Sequence, residues 1–419
     1  MNEKVKNEID KACWYEQRQT LGNNNMKLKP YPEYKDSGIK WIGKIPKGWE
    51  VRKLKYNYDI IRKTNIPASE GNEEGDVPFF TSGESIKYTD KPIISGEYII
   101  VGDGGIPNFK YYKGEFSYSD HCFLLKTNKE SFSKFLYYFL IGNVEIFDIL
   151  CFHGMGLRNL DQYKFNSFFS NLPSFPEQIP IANFLDKKTT KIDALIEKDK
   201  RLIELLKEKR TALIDHTATK ELDPNTKMKK VNLLTCHETL ENWQIIRIKF
   251  VLRLSRGVDL SNDNFKEGDI PVYGSNGIIG YHSKATSKGP GVTVGRSGSV
   301  GEVNFVSEER YWAHNTSLYL QENYGNNVRY IYYLLSILDL RHLAAGSAVG
   351  TLNRNYIHDL FVSLPSKSEQ QKIVDYLDKV TAKIDKTIQK IEQKIKLLEE
   401  YKKSLIHHVV TGKIDVRGL

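Results

Sequence analysis

Few cysteines are present in this sequence, and their spacing excludes two common kinds of site. Four of the 419 residues are cysteines, and no two of them form a C-x-x-C pair. Neither a disulfide framework nor a structural zinc site is therefore predicted. The adjacent His407 and His408 would not face one ligand on a helix, so we predict no metal site there either.

Long apolar runs are absent as well. No stretch approaches the roughly 20 apolar residues that a membrane-spanning helix needs. The first residues, MNEKVKNEIDKACWYEQ, lack the apolar core of a signal peptide. We therefore predict a cytoplasmic protein without membrane contact. The regular pattern begins at Met26, so residues 1–25 are interpreted as an appended N-terminal segment.

The motifs that carry common catalytic chemistry are also missing. The sequence has no G-x-x-x-x-G-K-[ST] loop for a nucleoside triphosphate and no H-E-x-x-H zinc motif. An adenine methyltransferase would need an Asp/Asn-Pro-Pro-Tyr/Phe loop and a glycine-rich turn after its first strand. The nearest candidates, residues 171–173 and 102–105, do not fit. We predict no catalytic residue and no cofactor in this chain, and the reading as a fused methyltransferase is disfavoured.

What the sequence does contain is an internal repeat. Residues 172–223 recur at 364–415 without a gap, and both copies carry the patterns LPS, EQ, LDK and KID. In each copy apolar residues follow at steps of four and three, which is typical of a coiled-coil seam. Asp199 and Arg210 interrupt this seam and could fix its register, while Pro180 predicts a kink or a separate short helix. The predicted seam residues are Ile192, Ile196, Ile203, Leu206, Leu213, Ile384, Ile388, Ile391, Ile395, Leu398 and Leu405.

The segments before the two helices repeat too, with an offset of 192 to 194 residues. Residues 48–54 return as 242–248, and His121 is in step with His314. Short β-rich runs bounded by Gly, Pro, Asn and Ser predict strands, with helical patches after them. We predict an α+β protein with two tandem α/β domains separated by two long helices that pair as an antiparallel coiled coil with pseudo-two-fold symmetry. The predicted segments after residue 25 are a first domain with its linker (26–171), a central helical spacer (172–230), a second domain (231–363) and a C-terminal helical spacer (364–419).

Polar and basic residues cluster in the predicted loop tips of both domains. The formal net charge is +9, which permits a polyanionic partner without proving one. Arginine can bind guanine and asparagine can bind adenine in bidentate fashion, and both also suit phosphates. The loops differ where the framework agrees, so two DNA-reading domains would read different sequences. The predicted DNA-binding residues are Arg62, Lys63, Thr64, Ser82, Gly83, Arg158, Asn159, Arg253, Arg256, Ser275, Asn276, Arg296, Ser297 and Arg354.

Several of these stretches resemble one known family. The opening from Lys27 to Trp49, the P-x-Y-G-S-N-G stretch at 271–277, the G-R-S-G-S-V-G stretch at 295–301 and the repeated helices are similar to specificity subunits of Type I restriction-modification systems. The resemblance implies two target recognition domains, each reading one half of a split double-stranded DNA target. It also implies that two modification subunits, which bring S-adenosylmethionine and methylate adenine, dock on the assembly, and that a restriction translocase subunit cuts.

The chain departs from the family pattern in residues 1–25, at Pro180 and at 231–241, where the linker containing Trp41 is degenerate. Two other functions stay open from the residues alone. One is a stand-alone duplicated DNA-binding regulator, which would bind tightly without a methyltransferase partner. The other is a coiled-coil scaffold that binds only proteins, for which any DNA binding would lack a steep dependence on salt.

Overall fold

A computed structural model describes residues 29–61, 63–156, 158–219, 227–233, 237–260, 268–344 and 350–419. The chain divides into two compact units, Met1–Asp199 with Gln393–Leu419 and Lys200–Glu392. Each unit contains one mixed domain and parts of two long helices. The predicted appended segment (1–25) and Arg62 lie outside the described residues. No described helix combines the length and the apolar character needed to cross a membrane.

The first domain is built around a six-stranded sheet in the order β4-β9-β7-β8-β5-β6. Its strands are β1 Tyr34–Asp36, β2 Lys44–Pro46, β3 Glu50–Lys53, β4 Tyr58–Ile61, β5 Val77–Phe80, β6 Lys87–Thr89, β7 Ile94–Gly102, β8 Phe109–Tyr118, β9 Cys122–Thr127, β10 Phe152–His153, β11 Asn159–Leu160 and β12 Phe169–Leu172. Its helices are α1 Ser133–Gly142, α2 Val144–Cys151 and α3 Gln162–Ser167. Short two-stranded pairs, β1 with β2, β3 with β12 and β10 with β11, surround the sheet.

Both faces of this sheet are buried. Side chains of successive strand residues point to opposite faces, and strand β7 has apolar residues at adjacent positions. Ile99 and Val101 join the large core that includes Phe135 and Phe139 of α1. Tyr98, one residue earlier, joins a second cluster on the other side of the sheet. The sheet is therefore covered by α1 on one face and by its own aromatic residues on the other.

The second domain repeats this plan with the sheet divided in two. Two four-stranded sheets have the orders β16-β23-β20-β21 and β18-β17-β22-β19. The single long strand β8 of the first domain is here replaced by two shorter strands, β21 and β22. The strands are β13 Met228–Lys230, β14 Glu238–Leu240, β15 Gln244–Arg247, β16 Arg253–Arg256, β17 Ile270–Gly274, β18 Gly277–His282, β19 Ser287–Lys288, β20 Gly291–Gly295, β21 Val303–Val306, β22 Arg310–Ala313, β23 Ser317–Glu322 and β24 Phe361–Leu364, and the helices are α5 Val328–Ser336 and α6 Arg354–His358.

Two long helices carry the repeated sequence. The central helix α4 spans Phe175–Thr219 and the C-terminal helix α7 spans Lys367–Val410. The central helix continues through Pro180 without a break, so the separate short helix suggested by that residue does not form. Pro180 lies near the helix start, and its missing N–H removes only one early hydrogen bond.

The two helices pair in opposite directions. In the first unit Lys402 donates to Asp193 at 2.6 Å and Lys394 donates to Asp199 at 3.0 Å, so residue numbers rise along one helix as they fall along the other. In the second unit Arg210 donates to Asp385 at 3.0 Å. The predicted antiparallel pairing is confirmed, and both polar interruptions of the seam bind a charge on the opposite helix.

The seam residues differ in how deeply they are buried. Seven of the predicted seam residues are buried and four are half-buried, so none of them is fully exposed to solvent. The buried residues are Ile192, Ile196, Ile203, Ile384, Ile388, Ile391 and Leu405, and the half-buried residues are Leu206, Leu213, Ile395 and Leu398.

The last turns of the C-terminal helix pack on the first domain through His407. Its Nδ1 lies 3.1 Å from the carbonyl oxygen of Gly142. Burial, helped by the neighbouring charges of His408 and Lys413, lowers the pKa of His407 to about 4. The imidazole is therefore neutral at pH 7, and its N–H can donate to that carbonyl.

This histidine predicts a loss of stability in mild acid. A histidine in the unfolded chain has a pKa of about 6.5, so the unfolded state binds more protons between pH 6.5 and pH 4. The stabilisation is complete above pH 6.5 and is lost as pH falls towards 4, by about 2–3 kcal/mol. In urea titrations at pH 7 and pH 4.5, the wild type should lose more stability than a His407→Gln variant. Equal losses in the two proteins would contradict this assignment.

Candidate nucleic-acid interface

The repeated EQ motif joins each domain to its long helix. Trp49 Nε1 donates to Glu177 Oε1 at 3.2 Å, and Trp243 Nε1 donates to Glu369 Oε1 at 3.3 Å. In the second copy the backbone N–H of Ser366 also donates to Glu369 at 2.8 Å. These hydrogen bonds hold the domain against the first turn of the helix.

The glutamine of the same motif forms a second link. Gln178 accepts from the backbone N–H of Phe132 at 2.8 Å and donates to Pro173 O at 3.0 Å. Gln370 accepts from the N–H of Asn327 at 2.9 Å in the same way. Both glutamines are buried, where an unpaired amide would be costly. The repeated EQ motif thus has a structural role in joining each domain to its helix. The loops that differ between the domains remain as candidates for DNA recognition.

In the first domain, loops meet at one end of β4, β7 and β9. Lys63 forms an ion pair with Asp103, whose carboxylate lies 3.4 Å from Nδ1 of His121. The backbone N–H of Asp103 donates to His121 O at 3.0 Å, and the N–H of Leu160 donates to Asp103 O at 2.8 Å. Asn159, which forms an isolated bridge with Gly104, lies beside this group.

The loop that contains Ser82 and Gly83 lies against the same group. Asn108 donates to Gly83 O at 2.7 Å, and Lys110 donates to Thr81 O at 3.0 Å. Burial lowers the pKa of Lys110. The structure therefore brings Lys63, Ser82, Gly83 and Asn159 together around the turn at 102–108.

Two other predicted residues of the first domain bind the protein itself. Arg158 forms an ion pair with Asp148 at 2.9 Å and donates to Phe152 O at 3.2 Å. Thr64 donates through its hydroxyl to Tyr118 O at 3.0 Å. These contacts give both side chains a role in holding the loops.

The second domain has an equivalent group of loops. Arg256 ends β16, and Arg296 directly follows β20. A Cβ at Gly295 would lie 2.7 Å from Ser275 O, so the loop that carries Ser275 and Asn276 closely approaches this glycine. The N–H of Ser297 donates to Thr316 O at 3.2 Å.

The remaining predicted arginines of the second domain occupy two different positions. Arg354 donates to Ser255 Oγ at 3.1 Å, within β16. Arg253 is exposed at the opposite end of that strand from Arg256. Arg253 is therefore not brought to the loop cluster.

Two apolar loop residues escaped the sequence-based prediction. The side chain of Met155 is fully exposed and that of Ile106 is 74% exposed. Their loops are joined by a hydrogen bond of 2.8 Å from Gly105 N to Arg158 O. Such side chains suit the methyl group of thymine in the major groove. The only signal in the sequence was a single apolar residue inside each glycine-rich loop.

No group of three or more His, Cys, Asp or Glu side chains is arranged to hold a metal ion within the ranges that the structure describes. The loop clusters instead present lysine, arginine, asparagine and serine side chains together with backbone groups. These are the groups that proteins use to bind base edges and phosphates.

Comparison with known proteins gives a consistent identification. Residues 46–206 and 240–397 match the family model of the Type I restriction modification DNA specificity domain. A putative type I restriction enzyme specificity subunit of Haemophilus influenzae is 28% identical over 118 residues, which cover 27% of this chain and 31% of that protein. The chain thus matches about a third of the length of this curated relative.

A solved structure supports the fold. It was described for the structural basis of complex assembly and conformational transition of the type I R-M system, and its chain has a TM-score of 0.59 with 16% identity. The alignment covers 87% of this chain and 98% of the other. Because the two family matches span most of the sequence and each includes one loop cluster, the chain belongs to the Type I restriction-modification DNA specificity family and carries its domain twice.

Proposed function

We propose that this chain is the non-catalytic DNA-recognition subunit of a Type I restriction-modification complex. Each domain reads one half of a bipartite double-stranded target through its loop cluster. The observation that carries this proposal is the duplication itself: the same strands present loops at the same places, but the loop residues differ. Asp103 follows Gly102 in the first domain, whereas Arg296 follows Gly295 in the second. Two domains with one framework and different loops are suited to two different half-sites.

The paired helices complete the proposal. Helices α4 and α7 are each continuous over 45 and 44 residues, and a continuous helix resists bending better than a loop. We propose that they set the spacing of the half-sites and dock two modification subunits. Those subunits supply S-adenosylmethionine and the methyl transfer, and a restriction translocase supplies cleavage.

Sequencing of methylated DNA tests this function. Deleting the gene from its host should abolish adenine methylation at one bipartite motif, and restoring the full chain should restore it. Binding of the purified complex to that motif should fall about 10³–10⁵-fold between 50 and 200 mM salt if six to ten phosphates are contacted. A methylome unchanged by the deletion would refute the proposal, and tight binding by the chain alone would favour a stand-alone regulator.

A further inference from the structure

Two arginines of the second domain flank one strand end. Strand β23 pairs with β16 on one side, where Leu318 faces Arg256, and with β20 on the other, where Ser317 faces Gly295. Arg296 directly follows Gly295. The two arginines therefore lie on either side of the start of β23.

The backbone that carries Arg296 is held on both sides. Its N–H donates to Thr316 O at 2.8 Å, and its carbonyl accepts from the N–H of Leu352 at 2.8 Å. The preceding Gly295 has no room for a side chain, because a Cβ there would collide with the carbonyl oxygen of Ser299. Arg296 Nη1 also donates to Asn315 O at 3.4 Å. The loop thus presents the guanidinium from a fixed position.

The charges around this arginine are not balanced. Burial, followed by the charge of Arg256, lowers the pKa of Arg296. Among the residues that the structure describes, no carboxylate forms an ion pair with either arginine. In the first domain the residue equivalent to Arg296 is Asp103, which forms an ion pair with Lys63. Apart from the bond of Arg296 to Asn315 O, the arginine pair keeps its hydrogen-bonding capacity for a ligand rich in acceptors.

Resting on the proposed function, we propose that Arg296 binds the O6 and N7 atoms of a guanine in the half-site of the second domain, while the exposed Arg256 contacts a neighbouring phosphate. Guanine presents two acceptors side by side in the major groove, which matches the planar fork of a guanidinium. A carboxylate has no donor to offer. Asp103 at the equivalent position therefore cannot read guanine in the same way.

The test uses the whole complex and four variants in the host from which the gene was deleted. Arg296→Ala should make one guanine position of one half-site degenerate, leave the other half-site unchanged and weaken binding to the original site about 10- to 100-fold. Arg296→Lys keeps the charge and can still reach both acceptors, but it loses the planar fork, so it should keep the guanine preference at reduced strength. Arg256→Ala should keep every base preference. The slope of log binding constant against log salt concentration should fall by about one, as expected for the loss of one phosphate contact.

Arg247→Ala is the matched control, because this arginine lies on β15 and stacks on Phe361, which is not a residue of the loop cluster. It should leave the motif unchanged. An unaltered motif in Arg296→Ala would overturn the guanine assignment while leaving the proposed function intact. Failure of the wild-type gene to restore any motif would instead refute the proposed function.

Discussion

A Trp49→Ala variant is expected to lose about 3–5 kcal/mol of the stability of the first unit. The indole is 1% exposed and contacts the rings of Tyr31 and Phe135, with centroids 5.7 and 6.4 Å away. Its Nε1 donates to Glu177, and a Cβ at Gly412 would lie 3.1 Å from its Cζ3. Removing the ring would leave a cavity where the domain, the start of the central helix and the turn after the C-terminal helix meet. Calorimetry would measure the shift.

Two variants separate the contributions to this loss. Trp49→Phe keeps an aromatic ring but removes the donor to Glu177, and it should cost less than the alanine variant. Trp243→Ala makes the equivalent change in the second unit, where the indole is also 1% exposed. Amide hydrogen exchange should place the loss of protection in the first unit for Trp49→Ala and in the second for Trp243→Ala. A Trp49→Ala protein with the wild-type melting temperature would show that this joint contributes little.

Insertion of four residues after Lys207 is expected to lengthen the preferred gap between the methylated half-sites without changing either half. Four helical residues add about 6 Å and turn the chain by about one full turn, so the seam still faces the partner helix. The insertion falls between Asp199 and Arg210, which bind Lys394 and Asp385. Sequencing of methylated DNA from cells that carry the variant would measure the gap.

The single insertion moves Arg210 about one turn away from Asp385, and a second variant corrects this. Four further residues inserted between Thr387 and Ile388, opposite the first site, should let the pair form again. The double insertion should then show the same longer gap and a higher melting temperature than the single one. Lys207→Ala, an exposed substitution without added length, should change nothing. If the gap stays at its wild-type length in both insertions, the helices do not set the spacing.

Much of this architecture was predictable because the sequence contains an internal repeat. A repeat without gaps and a four-three apolar pattern suffice to predict two long helices, and two matching seams are most simply buried against each other. The domains were predictable as mixed α and β from short strands at constant offset. The central helix passes through Pro180 because the loss of one early hydrogen bond is small beside the burial of Ile181 and Leu185.

The charge distribution of the candidate interface was less predictable from the sequence. Which charges are neutralised depends on contacts between residues that are distant in the sequence. Nothing local indicates that Lys63 binds Asp103, which is 40 residues away, or that Arg158 is held by Asp148. The sequence does not indicate that Arg256 and Arg296 are neighbours, because only the pairing of β23 with β16 and β20 brings them together. Loop tips can be selected by residue type, but the direction of each side chain depends on the folded sheet.

The charges along the helix seam have a consequence for chains of half the length. The pair Asp193–Lys402 and the pair Arg210–Asp385 are equivalent under the repeat. Asp385 is the counterpart of Asp193, and Lys402 is the counterpart of Arg210, each at an offset of 192 residues. A single repeat that associated with a second copy of itself would therefore still match acid with base at this level. Asp199 would instead meet a leucine, Leu202, which is the counterpart of Lys394. The buried Asp199 thus disfavours the association of two copies of the first repeat. In the tandem chain it faces Lys394 of the second repeat instead.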